Sequence, residues 1–192
     1  MVRLVLLALA AEPAFVSDGT ADGVTIEKRE VAGSSFFELR LTATTTKATL
    51  EALCDEAWGD GSYDPTEPDL KARKVLSADA GVRVTWEEIA PAVVSPRDYV
   101  LYQTVDRTPT TCTMRYRSTS DPAAPVRSSF VRITRLWGSW HFEALPSGGV
   151  RVVYTSFSDP GGSIPAFLVK GPQRSAAIMW MKRTMDRAAA RH

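Results

Sequence analysis

Asp159-Pro160-Gly161-Gly162-Ser163-Ile164-Pro165 separates a β-rich run of sequence from the last helical run of the chain. Before it, a Gly148-Gly149 turn leads into Val150-Arg151-Val152-Val153-Tyr154, which predicts the final strand. Ser163 is a residue type that caps helices, and Pro165 suits a first helical turn. The junction therefore predicts a sheet that ends where a long C-terminal helix begins. A curved sheet around such a helix can leave a hollow for an apolar ligand.

The remaining sequence predicts antiparallel strands with one short helix among them. The helix is expected over 46–58, with a threonine cap, and the strands over 24–31, 36–42, 74–77, 82–87, 97–106, 111–118, 130–145 and 150–158. Val131 and Ile133 alternate out of phase with Trp140 and Phe142, which predicts a β-bulge at Gly138. Short connections favour antiparallel pairing. The predicted fold class is α+β, with one curved antiparallel sheet.

The C-terminal helix is predicted over 172–190, with an interruption or kink at Gly171-Pro172. Ser175, Ile178, Met181 and Met185 recur at helical spacing and form its expected apolar stripe. This helix is expected to close the hollow of the sheet.

Length and charge restrict the class of protein. The chain has 192 residues, 23 basic and 22 acidic side chains, and a net charge of +1, so it fits one domain without the basic surface of a nucleic-acid binder. Leu4 to Ala11 is an apolar run after Arg3, and Ala8-Leu9-Ala10 resembles a cleavage site. We expect residues 1–10 to be a short signal peptide and 11–192 a single domain, periplasmic or secreted. The alternative is a cytoplasmic protein whose first residues form a buried element.

Two cysteines lie far apart in sequence, Cys54 in the predicted helix and Cys112 in a predicted strand. In an exported protein they could pair, but spacing alone does not bring them together. Two buried free thiols are the expectation.

The sequence offers few groups for catalysis. His141 alternates away from Trp140 and Phe142, and His192 is the last residue. Metal-ligand spacing, a phosphate-binding glycine loop and a Gly-x-Ser-x-Gly elbow are all missing from the sequence. We therefore expect a non-enzymatic protein without metal or cofactor.

Two polar residues on the strand that begins at Arg97 each have two possible roles. Gln103 shares a face with Tyr99, Leu101 and Val105, so it needs hydrogen-bond partners from the protein or from a ligand. Arg97 is either an anchor at the start of the strand or a contact for a ligand headgroup.

Three segments together resemble a known family: Ser95-Pro96-Arg97-Asp98-Tyr99-Val100, Val131-Arg132 with Gly138 to Phe142, and 150–169. Through them the chain resembles START domains of the helix-grip superfamily, and bacterial members that begin with a signal peptide. It implies a helix-grip fold with an internal hydrophobic cavity, a C-terminal helix over 163–190 that acts as a lid, and a lipid-like ligand. Sterol-binding members carry a basic residue where this chain has Gln103, so the resemblance implies a cavity without a buried charge there.

The predicted function is to bind, and to carry or transfer, a hydrophobic small molecule or lipid, with transient contact to a membrane surface and no nucleic acid. The alternatives are an enzyme similar to polyketide cyclases and aromatases, or a regulatory module with a vestigial cavity. The candidate ligand contacts are Trp86, Arg97, Tyr99, Leu101, Gln103, Met114, Tyr116, Trp140, Phe142, Phe167 and Ile178.

Overall fold

The computed structural model describes residues 12–91, 94–162, 164 and 167–191, without the side chains of 167–169. The predicted signal peptide, and Ser163 and Pro165 of the junction, lie outside the described residues. Within these ranges the chain forms ten strands and two α-helices. In chain order they are β1 Val16–Ala21, β2 Val24–Glu30, β3 Phe37–Thr45, α1 Leu50–Trp58, β4 Leu70–Asp79, β5 Val82–Ile89, β6 Arg97–Arg107, β7 Thr111–Ser118, β8 Val131–Arg132, β9 Arg135–Ala144, β10 Val150–Asp159 and α2 Phe167–Ala189.

Nine strands form one antiparallel sheet in the order β1-β2-β3-β10-β9-β7-β6-β5-β4, and β8 pairs in parallel with β6. The last strand, β10, lies between β3 and β9, so it pairs near the centre of the sheet with a strand more than a hundred residues earlier in the chain. The predicted α+β fold with its antiparallel sheet and C-terminal helix is confirmed. Strand β1 was not predicted, because its side chains are exposed or only half-buried, which leaves no apolar alternation to detect.

The predicted bulge at Gly138 is wrong. β9 pairs with both β7 and β10 in unbroken register through Gly138. The change of phase arises instead because 130–145 contains two strands: β8 lies beside β6, and β9 begins only at Arg135. Gly138, Trp140 and Phe142 consequently point to one face of the sheet. We call this face, which α1 and α2 cover, the inner face.

Helix α1 is tied to the sheet by a disulfide bond. Thr49 caps the helix by accepting a hydrogen bond from the backbone N–H of Ala52 at 3.2 Å, and Gly59 ends it. The helix packs against β7, which brings the Cα atoms of Cys54 and Cys112 to 6.0 Å, within the usual range for a bridge. The expectation of two free thiols is therefore wrong.

Helix α2 runs through Gly171 and Pro172 without the predicted interruption. Its buried stripe is centred on Ala177, Met181, Thr184 and Ala188, whereas Ser175 is exposed. Met181, which belongs to the expected stripe, is fully buried, and Ile178 and Met185 are partly buried against the core beside it. None of the described helices is long and apolar enough to cross a membrane.

Candidate ligand-binding cavity

A cavity of about 970 Å³ lies between the inner face of the sheet, the α1–β4 loop and α2. Its volume is at the upper end of the range typical of small-molecule sites, about 300–1,000 Å³. The strands β6, β7, β9 and β10 form its floor, and Trp180 and Thr184 of α2 face it from above. The space is large enough for a lipid-sized molecule.

Six of the predicted ligand contacts line this cavity: Tyr99, Leu101, Gln103, Met114, Tyr116 and Trp140. They come from three neighbouring strands, and they share the inner face because side chains two residues apart on a strand point the same way. Their place in the cavity is a structural fact, and their contact with a ligand stays a prediction.

Trp86 lies on the opposite face of the sheet and does not reach the cavity. Its indole Nε1 donates to Asp98 at 2.9 Å, and its ring packs against Val100 and Ala124. The predicted inward face of β5 is wrong, because Arg83, Thr85 and Glu87 point inward instead. The outer face is covered by the loop that carries Ala124, which buries the apolar residues there.

Arg97 also lies away from the cavity, at the junction between β10 and α2. It is 3% exposed, and its guanidinium donates to the backbone carbonyls of Pro160, at 3.3 Å, and of Ser95. Its neighbour Asp98 accepts two hydrogen bonds from Arg132, at 2.6 and 2.7 Å. These contacts are those expected of an anchor at the start of the strand, and contact of Arg97 with a ligand stays a prediction.

Three further candidates do not line the cavity in the described structure. Phe142 is fully buried in the core, next to Trp140. Ile178 lies on a neighbouring groove along α2 and packs against the core. The side chain of Phe167 lies outside what the structure describes.

A charged cluster lies at the β4–β5 edge of the cavity, and it was not predicted from the sequence. Arg73 donates to Glu87 Oε1 at 3.0 Å and to both carboxylate oxygens of Glu67 at 2.9 Å. Glu87 Oε2 accepts from the Tyr99 hydroxyl at 2.9 Å, and Oε1 accepts from Thr85 at 3.3 Å. Burial and the adjacent Glu87 carboxylate raise the pKa of Tyr99 well above its usual value. The cluster is thus internally paired.

A second cation, Arg83, enters the cavity beside Gln103. The Nε of Arg83 donates to Gln103 Oε1 at 2.6 Å, and the whole residue is 8% exposed. The expectation that this region lacks a buried charge is therefore wrong: the charge comes from the neighbouring strand. The register could have revealed it, because Arg83 pairs with Gln103 and Glu87 with Tyr99, and paired residues share a face.

Two phenols and a glycine form the middle of the cavity floor. The Tyr116 hydroxyl donates to the Tyr154 hydroxyl at 3.3 Å, and burial raises the pKa of both groups. Gly138 pairs with Tyr116 in register, and a Cβ there would lie 2.3 Å from the Tyr116 hydroxyl oxygen. Glycine at 138 therefore makes the space that this phenol occupies.

Ion pairs join α2 to the α1–β4 side of the cavity mouth. Arg187 contacts Asp64 at 2.6 Å and Glu56 at 2.9 Å. Arg183 contacts Asp64 at 3.4 Å, and Arg191 contacts Glu56 at 2.5 Å. The hydrogen bond from Arg187, with those from Thr66, holds the pKa of Asp64 well below its usual range. We call the five residues of these ion pairs the mouth cluster: Glu56, Asp64, Arg183, Arg187 and Arg191.

Comparison with known proteins agrees with this architecture. The family model for the START domain matches residues 14–191. An uncharacterized protein of Pseudomonas aeruginosa is 28% identical over 174 residues, which is 88% of this chain and 84% of that protein. The crystal structure of a STAR-related lipid transfer protein from Xanthomonas axonopodis is 26% identical, with a TM-score of 0.76 over 91% of this chain and 98% of that one. Human STARD10 superposes with a TM-score of 0.78 at 15% identity, over 91% of this chain and 72% of that one.

Proposed function

The chain belongs to the START-domain family, and on that premise we propose that it binds a lipid-like molecule in its internal cavity. The observation that carries the proposal is the space itself, about 970 Å³ with Leu101, Met114 and Trp140 on its floor. Transfer of apolar surface from water onto these side chains is the driving force for binding. The polar groups on the same floor then select among apolar molecules by the hydrogen bonds they offer.

We propose further that the protein carries or transfers this ligand. The Xanthomonas axonopodis protein, which is 26% identical over nearly its whole length, is described as a lipid transfer protein. In this chain α2 covers the cavity and is held at the mouth cluster by partly exposed ion pairs, which are individually weak. A lid held in this way can open without unfolding of the sheet.

Binding without chemical conversion fits the groups that face the cavity. Glu87 is a carboxylate on the cavity wall. Both of its oxygens already accept hydrogen bonds within the protein, from Arg73, Thr85 and Tyr99. His141 bonds to Thr113 at 2.8 Å on the outer face of the sheet. These placements favour a carrier over a cyclase-like enzyme.

We propose an oxidising compartment, periplasmic or extracellular, as the place of action. Disulfide bonds persist in such compartments and are rare in reducing ones, and Cys54 and Cys112 form one here. Alkylation of denatured protein from separate cell fractions tests this. Thiols that are blocked in the periplasmic or secreted fraction support it, and free thiols throughout would contradict it.

Membrane contact through α2 is a proposal that depends on opening. Five cations in the C-terminal part of the chain pair with acidic residues of the β1–β2 region, α1 or the α1–β4 loop. They are Arg174, Lys182, Arg183, Arg187 and Arg191. These cations become available for anionic headgroups only when α2 moves away from its partners.

Native mass spectrometry of the purified protein, with organic extraction, tests ligand binding. We expect a co-purifying lipid, or a rise in unfolding free energy on adding one, of about 2.7 kcal/mol at 100 times its dissociation constant. Leu101→Trp should fill the cavity and weaken binding, whereas Tyr102→Trp, on the outer face of the same strand, should not. An empty protein whose stability no lipid changes would overturn the proposal.

A further inference from the structure

The outer face of the sheet is covered at its two sides and open in its centre. The loop that carries Ala124 packs on Trp86 of β5. At the opposite side, the ring of Phe15 lies over the guanidinium groups of Arg29 and Arg40, at 4.7 and 4.2 Å. Between these two covers, β7 and β9 present half-buried and exposed side chains on the face away from the cavity. This part of the sheet is open to a partner.

Arg117 on β7 is an exposed cation held over an aromatic ring. Its Cζ lies 4.9 Å from the centroid of the Tyr102 ring on β6. This cation–π contact uses the face of the phenol and consumes none of the five N–H donors of the guanidinium. The Arg117 side chain forms no ion pair or hydrogen bond with any other described residue. It is therefore a positioned positive charge without a carboxylate partner.

Trp137 on β9 lies directly beside Arg117, because the two residues are paired in register. Side chains paired in this way are about 5 Å apart at Cβ. The indole is stacked on Phe157, with 4.1 Å between the ring centroids, and Phe157 is itself only 1% exposed. A buried ring thus holds the indole in place, while part of the indole stays exposed. The result is an accessible aromatic ring next to a free cation.

Hydroxyl groups continue the same surface along β9 and β10. Ser139 lies two residues from Trp137, a step of about 7 Å on one face of a strand, and its hydroxyl bonds to that of Thr155 at 2.7 Å. Each hydroxyl has one donor and two acceptor sites, so this single bond leaves most of their capacity unused. Both residues are half-buried. We call Arg117, Trp137, Ser139 and Thr155 the outer strip.

The charges around the outer strip are of both signs. Asp106 and Glu143 flank it, with side chains that are 82% and 36% exposed, and they pair with Arg115 and Arg151. These carboxylates repel a densely charged polyanion such as a nucleic acid strand, which also needs several cations in succession. A hydroxyl-rich molecule with a single carboxylate needs only Arg117. The pattern therefore favours an acidic carbohydrate over a nucleic acid.

We propose that the outer strip binds an acidic carbohydrate. The C–H face of a sugar ring is apolar and packs on the Trp137 indole, while the carboxylate of the sugar pairs with the N–H groups of Arg117. The sugar hydroxyls bond to Ser139 and Thr155. This site goes beyond the proposed function, because it lies on the face of the sheet opposite the lipid cavity.

A titration of the full chain, followed by NMR signals of backbone and indole N–H groups, tests this with two matched sugars. Cellobiouronic acid and cellobiose have the same two rings and differ by one carboxylate. We expect the acid to bind about two- to fivefold more tightly at low salt, the range of an exposed ion pair, and the largest shift at the Trp137 indole.

Two substitutions separate the roles of ring and charge. Trp137→Ala should weaken binding of both sugars, and Arg117→Gln should make their affinities equal. Lys47→Gln, which removes an exposed charge between β3 and α1, should keep the wild-type preference. If Trp137→Ala fails to fold, Arg117→Gln and the location of the shifts decide.

Equal affinity of the wild-type protein for acid and neutral sugar would overturn the proposal, and so would a preference that survives Arg117→Gln. Shifts that avoid the outer strip would also overturn it. Tighter binding of a thymidine tetranucleotide than of the sugar acid would assign this surface to nucleic acid instead. Each of these outcomes leaves lipid binding in the cavity untouched.

Discussion

At Gly138, the addition of one methyl group should disturb the cavity floor. An alanine Cβ there would lie 2.3 Å from the Tyr116 hydroxyl and 2.4 Å from the Thr155 carbonyl oxygen. The Tyr116 phenol must move and lose its bond to Tyr154, and because the Thr155 carbonyl is backbone, β9 and β10 must also shift apart. We expect Gly138→Ala to lower the unfolding free energy by about 1–3 kcal/mol, measured by chemical denaturation.

The matched control is Gly171→Ala in α2. Nothing lies within 4 Å of a Cβ at this position. Alanine is a better helix former than glycine, so this variant should gain up to about 1 kcal/mol. A loss of similar size in both variants would contradict the steric explanation for Gly138.

The three tyrosines of the cavity predict sensitivity to alkaline pH. Burial raises the pKa of Tyr99, Tyr116 and Tyr154 above the usual tyrosine value of 10.0. Above that value the unfolded chain releases phenolic protons that the folded protein retains. Stability should therefore be complete below about pH 10 and fall as pH rises toward the folded pKa values. Denaturation midpoints across this range, with tyrosinate absorbance as the second readout, measure the effect; a flat profile would contradict it.

At the scale of elements, the mouth cluster should control how fast α2 releases the cavity. Arg187 is the centre of the cluster, in contact with both Asp64 and Glu56. Partly exposed pairs of this kind contribute about 0.5–1 kcal/mol, so Arg187→Gln should accelerate ligand exchange about two- to fivefold. High salt should have the same effect on the wild-type protein.

Exchange of a bound fluorescent fatty acid into vesicles measures this rate. Arg151→Gln, which breaks an exposed pair with Glu143 on β9, is the control of equal charge and should exchange at the wild-type rate. Because the folded pKa of Asp64 is lowered, its contribution is present above the usual value of 3.8 and is lost only as pH falls through the lowered pKa. If the ligand exchange rate responds to neither Arg187→Gln nor salt, the mouth cluster does not control the opening of α2.

The strand β5 shows where reading of the sequence succeeds and where it fails. Alternation on β6 and β7 placed five cavity residues on the correct face, because one face of those strands is clearly more apolar. On β5 the same rule placed Trp86 inward and Arg83 and Glu87 outward, the reverse of the structure. The rule failed because both faces of β5 are covered, so hydrophobicity no longer distinguishes inside from outside. Pairing with β6 would have decided the face correctly.

At the scale of the molecule, the class of fold could be predicted from local patterns, but the sheet order could not. Turn residues and alternation identified most strands, and the junction that begins at Asp159 coincides with the end of β10. The central position of β10 depends on contacts between the two ends of the chain, more than a hundred residues apart, for example Tyr154 with Leu41. Pairing of Cys54 with Cys112 is likewise a long-range result of α1 crossing β7.

That disulfide bond should carry a large share of the stability of the whole molecule. Its cysteines are 58 residues apart in sequence, and a cross-link of that span contributes about 4 kcal/mol in the chain-entropy description. Domains of this kind are stable by about 5–15 kcal/mol in total. The bond also fixes α1, whose terminal carbonyls hold Arg83, so reduction should loosen the cavity as well as the fold.

We expect dithiothreitol to lower both the denaturation midpoint and lipid affinity of the wild-type protein. The double variant Cys54→Ala with Cys112→Ala should already have the lowered values and not respond to reductant. Equal midpoints for oxidised and reduced protein would show instead that packing of Leu53 and its neighbours alone holds α1 in place.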